Sequence, residues 1–271
     1  MSSLPASLAD RLDFALRAAR EASSLILRYY QDADLAVDLK GDQSPVTAAD
    51  RGAEELLRTL IERDFENDAV LGEEFGERAG NSGYRWILDP VDGTKSFVHG
   101  VPLFGTLIGL EHNDRPVLGV CRLPALNEVV YAADGGGAWW QRGDAAPGRA
   151  QVTRTTDLSQ ALFSYTAVEL FDKTHRRATF EAFAKTCSAT RAWGDCYGHI
   201  LVATGRADVM VDPIMNIWDC APLVPILREA GGAYLDWTGQ ETIRGGDGIS
   251  VNANLQSAVL DLVRRTAPRA T

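Results

Sequence analysis

Cysteine is scarce. The 271 residues hold four, Cys121, Cys187, Cys196 and Cys220, and no two are spaced as in a zinc finger or a redox motif. Each stands among apolar neighbours, so they read as reduced packing residues of a cytosolic protein and not as a disulfide framework. No apolar run is long enough to span a bilayer, and Asp10 and Asp13 interrupt the N-terminal segment where a signal peptide would lie. Neither membrane insertion nor secretion is expected. Positive charge is in deficit: 27 Lys and Arg against 37 Asp and Glu leave a formal net charge of −10. That argues against a nucleic-acid or anionic-membrane surface. An anionic substrate stays open, because a bound divalent cation inverts the local field. The four histidines, His99, His112, His175 and His199, have no ligand spacing and read as non-catalytic. Gly135-Gly136-Gly137 lacks the strand-to-helix context of a phosphate loop and reads as a turn.

What is present is an ordinary globular composition, 45% hydrophobic and 24% charged. No repeat, low-complexity tract or clear linker divides the chain. The expectation is a single domain over 1–271, with an N-terminal lobe of about 1–155 and a C-terminal lobe of about 156–271. Helical spacing predicts a helix over 8–30 and another from Thr47 to about residue 64, after a polar loop Lys40-Gly41-Asp42-Gln43-Ser44-Pro45. Strands are predicted over 69–71, 84–88, 104–110, 117–123 and 128–133, with Asn113-Asp114 as a hairpin turn and short strands near Trp139-Trp140 and Val152. This favours an antiparallel meander over a doubly wound sheet. The second half alternates: strand 163–166, helices 174–185 and 196–204, strand 207–211, helices 218–230 and 254–265. The segment 78–83 reads as a turn or a mobile loop.

The chain is organised around Trp86-Ile87-Leu88-Asp89-Pro90-Val91-Asp92-Gly93-Thr94-Lys95-Ser96-Phe97. An apolar strand is expected to stop at Asp89-Pro90, since proline donates nothing to a ladder. Two carboxylates follow across the turn, then a segment that can begin a helix and offer free N–H groups. A second acidic pair, Glu73-Glu74, follows the apolar run 69–71. Two acid-bearing strand ends meeting at one sheet edge can hold Mg²⁺ and a phosphate together. Asp50 fits two roles, a first-turn acid capped by Thr47 and a catalytic group. Asp219, in Asn216-Ile217-Trp218-Asp219, is either an N-terminal helix acid or a further ligand.

Gly-Glu-Glu at 72–74, Trp-Ile-Leu-Asp-Pro-Val-Asp-Gly-Thr at 86–94 and Trp-Asp at 218–219, in that order, resemble the inositol monophosphatase family over nearly the whole chain. The resemblance implies an α+β fold layered αβαβα, as in inositol monophosphatase and fructose-1,6-bisphosphatase, and a Mg²⁺-dependent, Li⁺-sensitive phosphomonoesterase that is a homodimer. It implies that Glu73, Asp89 and the Val91 carbonyl hold one Mg²⁺, that Asp89, Asp92 and Asp219 hold a second, and that Glu73 helps a third. A Thr94–Asp50 pair would orient the attacking water, with Asp50, Glu73 and Thr94 as the catalytic set and no phosphoenzyme. Gly93 and Thr94 N–H groups would bind the phosphate. Lys95 is either a solvated lysine or a phosphate contact, and Glu74 reads as a supporting or surface acid.

Arg191-Ala192-Trp193-Gly194-Asp195 and Gly205-Arg206-Ala207-Asp208-Val209-Met210, with Asp-Gly-Thr-Lys-Ser-Phe at 92–97, are similar to the histidinol-phosphate phosphatase branch. Asp195 and Asp212 facing the leaving group would suit its ammonium, and Asn216 its imidazole. Asp195 fits equally as the N-cap of the 196–204 helix. The alternatives are an inositol-1-phosphatase or a related sugar or nucleotide phosphatase, and a metal- or phosphate-binding regulator without turnover. The expected partner is a small phosphate ester, with no nucleic acid or membrane.

Overall fold

The computed structural model describes residues 6–41 and 45–268. Asp42, Gln43 and Ser44 of the predicted polar loop lie outside the described residues.

Alternation along the strand Tyr84–Asp92 shows how the layers arise. Trp86 and Leu88 face one way and pack with Phe14, Ala18 and Ala22 of helix Ala6–Ile26 and with Ala53 and Leu57 of helix Ala48–Asp64. Ile87 faces the other way and packs with Ile200 of helix Asp195–Ala203 and with Leu223 and Ile226 of helix Leu223–Glu229. A strand apolar on both faces needs a cover on each. Those covering helices then pack through Met210 and Tyr234 against a second sheet. Its far face (Phe163, Val209, Val211, Ile249 and Val251) is covered by Phe183, Val259 and Val263 of the outer helices. The result is the expected αβαβα layering.

The first sheet has eight strands in the order Gly148–Arg149, Gly137–Arg142, Glu128–Ala133, Arg115–Leu123, Gly105–His112, Tyr84–Asp92, Ala69–Gly72, Gly76–Arg78. Its ladders are antiparallel except that between Ala69–Gly72 and Tyr84–Asp92, which is parallel and brings both acid-bearing ends to the same edge. The predicted meander is there, turned by Asn113 and Asp114 at φ 50° and 62°, the left-handed pair that a tight hairpin turn needs. The second sheet runs Ala189–Arg191, Leu162–Ser164, Val209–Asp212, Gly248–Asn252, Gly232–Leu235. Val37–Leu39 and Pro45–Thr47 form a separate small pair.

The structure departs from several expectations. The central strand does not stop at Pro90 but continues to Asp92. Its register against Gly105–His112 passes from Asp89↔Leu107 to Asp92↔Gly105, three steps against two. Proline is tolerated at such a bulge, where no ladder bond is required, and the Pro90 carbonyl accepts from Thr106 Oγ1 at 3.0 Å. The predicted 218–230 helix is two helices, Ile217–Cys220 and Leu223–Glu229, broken at Ala221-Pro222. Strands Gly232–Leu235 and Gly248–Asn252 were not expected, because four or five residues beside glycines carry little periodicity. Val152 lies in no strand. The 78–83 segment is tied down, Asn81 and Ser82 both donating N–H to Asn67 O. It leads into the start of Tyr84–Asp92, the end away from the acids.

Gly109 and Gly119 make the helix break possible by letting the sheet meet the Ala221-Pro222 backbone. A methyl at Gly119 would lie 2.0 Å from the Pro222 carbonyl oxygen. Gly119→Ala is expected to lose about 3 kcal/mol, the scale of overpacking a tight core, measured as a lower urea midpoint. An unchanged midpoint would contradict this packing.

Candidate active site

Residues three apart on a regular strand point to opposite faces. The bulge at Pro90-Val91 adds one residue and so brings Asp92 back to the side of Asp89. Asp89 is buried, and its Oδ1 accepts the Val91 N–H at 3.0 Å. Asp92 Oδ2 accepts the Cys196 N–H at 2.6 Å, across from the other half of the chain. Asp219 comes in from the short helix Ile217–Cys220, oriented by the Asn216 N–H at 2.7 Å from its Oδ2. One oxygen each from Asp89, Asp92 and Asp219 lie within 4.8 Å of one another. Glu73 follows the parallel strand, its N–H bonded to Leu88 O at 3.2 Å, which seats it beside Asp89.

Burial is the largest cause of strain in this group, followed by the acids' mutual repulsion. Together they push Asp92 and Asp219 up to about 7 each and raise Asp89 and Glu73 as well. Lys40 Nζ relieves part of it, 2.7 Å from Glu73 Oε1 and 2.5 Å from Glu74 Oε1. Every donor is a hard oxygen and none is sulfur or imidazole, so the set fits Mg²⁺ and not a soft metal.

Asp50 has the capping role, and its second carboxylate oxygen faces Thr94. Its Oδ2 accepts the Thr47 N–H at 2.8 Å and the Thr47 hydroxyl at 2.6 Å, while Oδ1 lies 3.3 Å from Thr94 Oγ1. Burial raises its pKa, against the pull of the Thr47 bonds. Thr94 Oγ1 also reaches the Val91 carbonyl at 3.0 Å. Gly93, at φ 80°, caps the short helix Thr94–Val98, and a Cβ there would sit 3.0 Å from Asp195 Oδ2. The first N–H to bond back is that of Phe97, to Gly93 O. The N–H groups of Thr94, Lys95 and Ser96 therefore have no intrahelical partner.

Asp195 is not an N-cap. Gly194 holds that position, and Asp195 is the first helical residue, at φ 52°. A non-glycine in that region is strained. Its N–H is held by Thr166 Oγ1 at 2.9 Å, and its carboxyl is raised well above the usual range by burial and by Asp92 and Asp212, against the pull of Lys95. Asp212 accepts from Thr166 N–H at 3.2 Å and Thr166 Oγ1 at 2.8 Å, and lies 3.3 Å from His199 Nε2. Asp195 and Asp212 both line one pocket, and Asp212 also fixes Thr166. Asn216 and Lys95 are both exposed.

A cleft of about 340 Å³ lies over Glu73, Gly93, Thr94, Lys95, Asp195 and Glu169. A pocket of about 80 Å³ continues it between Asp92, Asp195, Asp212 and Asp219. A larger groove, about 610 Å³ beside Gly137 and Gly231, touches none of these acids, so size does not locate the site. Thr166 and Glu54 escape sequence reading. Glu54 accepts the Glu74 N–H at 2.7 Å and the Phe75 N–H at 3.2 Å and so shapes the turn carrying Glu73. Its one signal was Arg58 four residues on.

The sequence matches the inositol monophosphatase family over residues 7–267. A histidinol-phosphatase of Chlorobaculum parvum is 43% identical over 90% of this chain and 92% of its own length. A histidinol-phosphatase of Mycobacterium tuberculosis is 38% identical over 93% and 96%. The solved inositol monophosphatase of Zymomonas mobilis superposes with a TM-score of 0.83 at 31% identity, over 96% of this chain and 100% of that one.

The raised acids make a signed prediction for the protein in EDTA. Asp92 and Asp219 hold protons up to about pH 7 when folded and release them near pH 4 when unfolded. Their contribution is complete below about pH 4 and is lost as pH rises through about 7. Tm should fall by several degrees between pH 5 and pH 8, and Asp92→Asn should flatten that fall. Parallel curves for the two proteins would contradict the geometry.

Proposed function

The chain belongs to the inositol monophosphatase family, and from that premise we propose that it is a Mg²⁺-dependent phosphomonoesterase whose substrate is histidinol phosphate. The observation that carries the first part is the meeting of Asp89, Asp92 and Asp219 next to the unpartnered N–H groups that open the Thr94–Val98 helix. Glu73, Asp89 and the Val91 carbonyl would hold one Mg²⁺, Asp89, Asp92 and Asp219 a second, and Glu73 a looser third. When bound, such ions acidify a water and neutralise charge on the transferring phosphoryl group.

The chain's own groups do the rest. The N–H groups of Gly93 and Thr94 receive phosphate oxygens, with Lys95 at the rim of the cleft as a mobile counter-charge. Thr94 Oγ1 sits between Asp50 Oδ1 and the cleft. It can accept a hydrogen bond from an attacking water while donating its own proton toward Asp50. Asp50 Oδ2 is already committed to Thr47, so Oδ1 is the oxygen left for this relay. Burial favours its taking a proton.

The names of the two relatives support histidinol phosphate, and so does Asp195. An acid held at the mouth by a strained backbone and a Thr166 bond suits an ammonium-bearing leaving group. Asn216, exposed and joined to Asp219 by its N–H, is the residue assigned to the imidazole. A neutral polyol such as inositol needs no such charge. We treat residues 1–271 as one domain, since the Cys196–Asp92 bond joins its halves through the site. Among the described residues no helix is long and apolar enough to cross a membrane. Four free, buried cysteines suit a reducing compartment. On this reading the enzyme is a cytoplasmic homodimer serving histidine biosynthesis.

Steady-state kinetics on a panel of phosphomonoesters tests the assignment. Turnover should need Mg²⁺ and kcat/KM should favour histidinol phosphate; a preference for inositol 1-phosphate would overturn the substrate. Asp195→Asn should raise KM for histidinol phosphate about tenfold, the loss of one charge-assisted contact, and leave an uncharged ester nearly unchanged. Thr94→Ala should lower kcat by roughly 10² to 10³, the scale of a positioned proton-transfer group, with KM little altered. Equal effects of Asp195→Asn on both esters, or a Thr94→Ala loss confined to KM, would contradict these roles.

A further inference from the structure

In a chain with net charge −10, partly buried arginines should be taken up by carboxylates, and most are. Arg11, Arg58, Arg85, Arg206 and Arg228 each hold one. Arg122 does not. It lies on the strand Arg115–Leu123 and points to the first helix. Its Nε donates to Ser23 Oγ at 3.0 Å and its Nη2 to Asn127 Oδ1 at 3.1 Å. Both acceptors are neutral, so the guanidinium is aimed but not neutralised. Asn127 is fixed in turn at φ 47°, just after a short 3₁₀ turn.

The second cation in the same place is Arg20, on the outward side of helix Ala6–Ile26. Arg20 and Arg122 share a polar cavity of about 300 Å³ with Asn127, Gln141, Gly143 and Asp144. Among the described residues neither arginine has a carboxylate within ion-pair distance, the exposed Asp144 included. Burial, and then the Arg20 charge, make Arg122 easier to deprotonate than an ordinary arginine. Holding two like charges in one pocket costs free energy that an anion would return.

We propose that the Arg20–Arg122 pocket is a binding site for an oxyanion of the phosphate class, separate from the acid cluster. Arg122 is the anchor, with its Nη1 and the second Nη2 hydrogen uncommitted and set in the planar fork that suits phosphate. Arg20 closes over the anion from the helix, and Gln141 supplies a neutral donor. The pocket holds one phosphate with room for a small organic substituent. It is also remote in direction from the acids. The register Thr106↔Arg122 and Gly105↔Asp92 puts Arg122 two strands from the central one. Its side chain lies on the face covered by Ser23, whereas Asp92 faces Cys196.

The test is calorimetric titration of the full chain in EDTA with inorganic phosphate, and separately with propylphosphonate, at ionic strength held constant with NaCl. Chelation removes the divalent cations through which the acid cluster would take a phosphate, so that site drops out. Saturable one-site binding is expected, weakened about tenfold by Arg122→Gln and by Arg20→Gln, one charge-assisted contact each, and tightened by Asp144→Asn. Equal affinity for the two probes would mark a site open to esters, and binding of phosphate alone a site for the free ion; both support the pocket. Arg20 is an exposed helix residue, so Arg20→Gln folds even where Arg122→Gln does not. No binding by the parent protein, or binding unaffected by Arg20→Gln, would overturn the proposal.

Discussion

The mutual repulsion of carboxylates at the end of one buried strand is the constraint on which the rest of the structure depends. Asp89, Asp92, Asp219 and Glu73 are drawn from the water that would ordinarily screen them. Taken alone this arrangement is unfavourable, because like charges in a low-dielectric setting repel strongly. It persists because each acid is over-determined from outside the cluster. Val91 N–H holds Asp89, Cys196 N–H holds Asp92 and Asn216 N–H holds Asp219. Glu73 is carried by a turn that Glu54 fixes from below. A fold that stabilises four unfavourable acids with separate supports is built to receive a compensating cation.

The layers serve this arrangement. The parallel pair Ala69–Gly72 and Tyr84–Asp92 delivers Glu73 and Asp89 to one edge. The bulge at Pro90 turns Asp92 to the same side, and the helix break at Pro222 leaves a separate short helix to present Asp219. Gly109 and Gly119 permit that break by their lack of a side chain. The second half of the chain reaches the site through Asp195 and Thr166, which shape the cleft where a leaving group would lie. Asp195 there is a non-glycine at positive φ, its N–H held by Thr166, and it leaves no room for a side chain at Gly93.

Much of this was legible in the sequence. The capping pattern Thr47-Ala48-Ala49-Asp50 predicted the second helix start, and it stands as a capping box. Apolar runs before Glu73 and Asp89 located the two strands, though the second runs on to Asp92. Asn113-Asp114 located the hairpin. The bulge was not legible, because proline signals only a strand end unless the partner strand is known. The helix break was hidden for the same reason. Pro222 is tolerated in a helical first turn, and only the neighbouring glycines show why the chain stops and restarts. Strand Gly248–Asn252 is too short to carry a period. That Asp212 also bonds Thr166 and His199 was not legible, because a spacing argument cannot show which groups reach its oxygens. The isolated Arg122 is likewise a fact of what does not lie beside it in space.

The central claim is that Asp89, Asp92 and Asp219 share a divalent cation. Crystals grown with Mn²⁺, which takes the oxygen ligands of Mg²⁺ and scatters anomalously, test it directly. An anomalous peak is expected between those three carboxylates, and its loss in Asp89→Asn. Mn²⁺ bound elsewhere, with the three carboxylates turned apart, would contradict it.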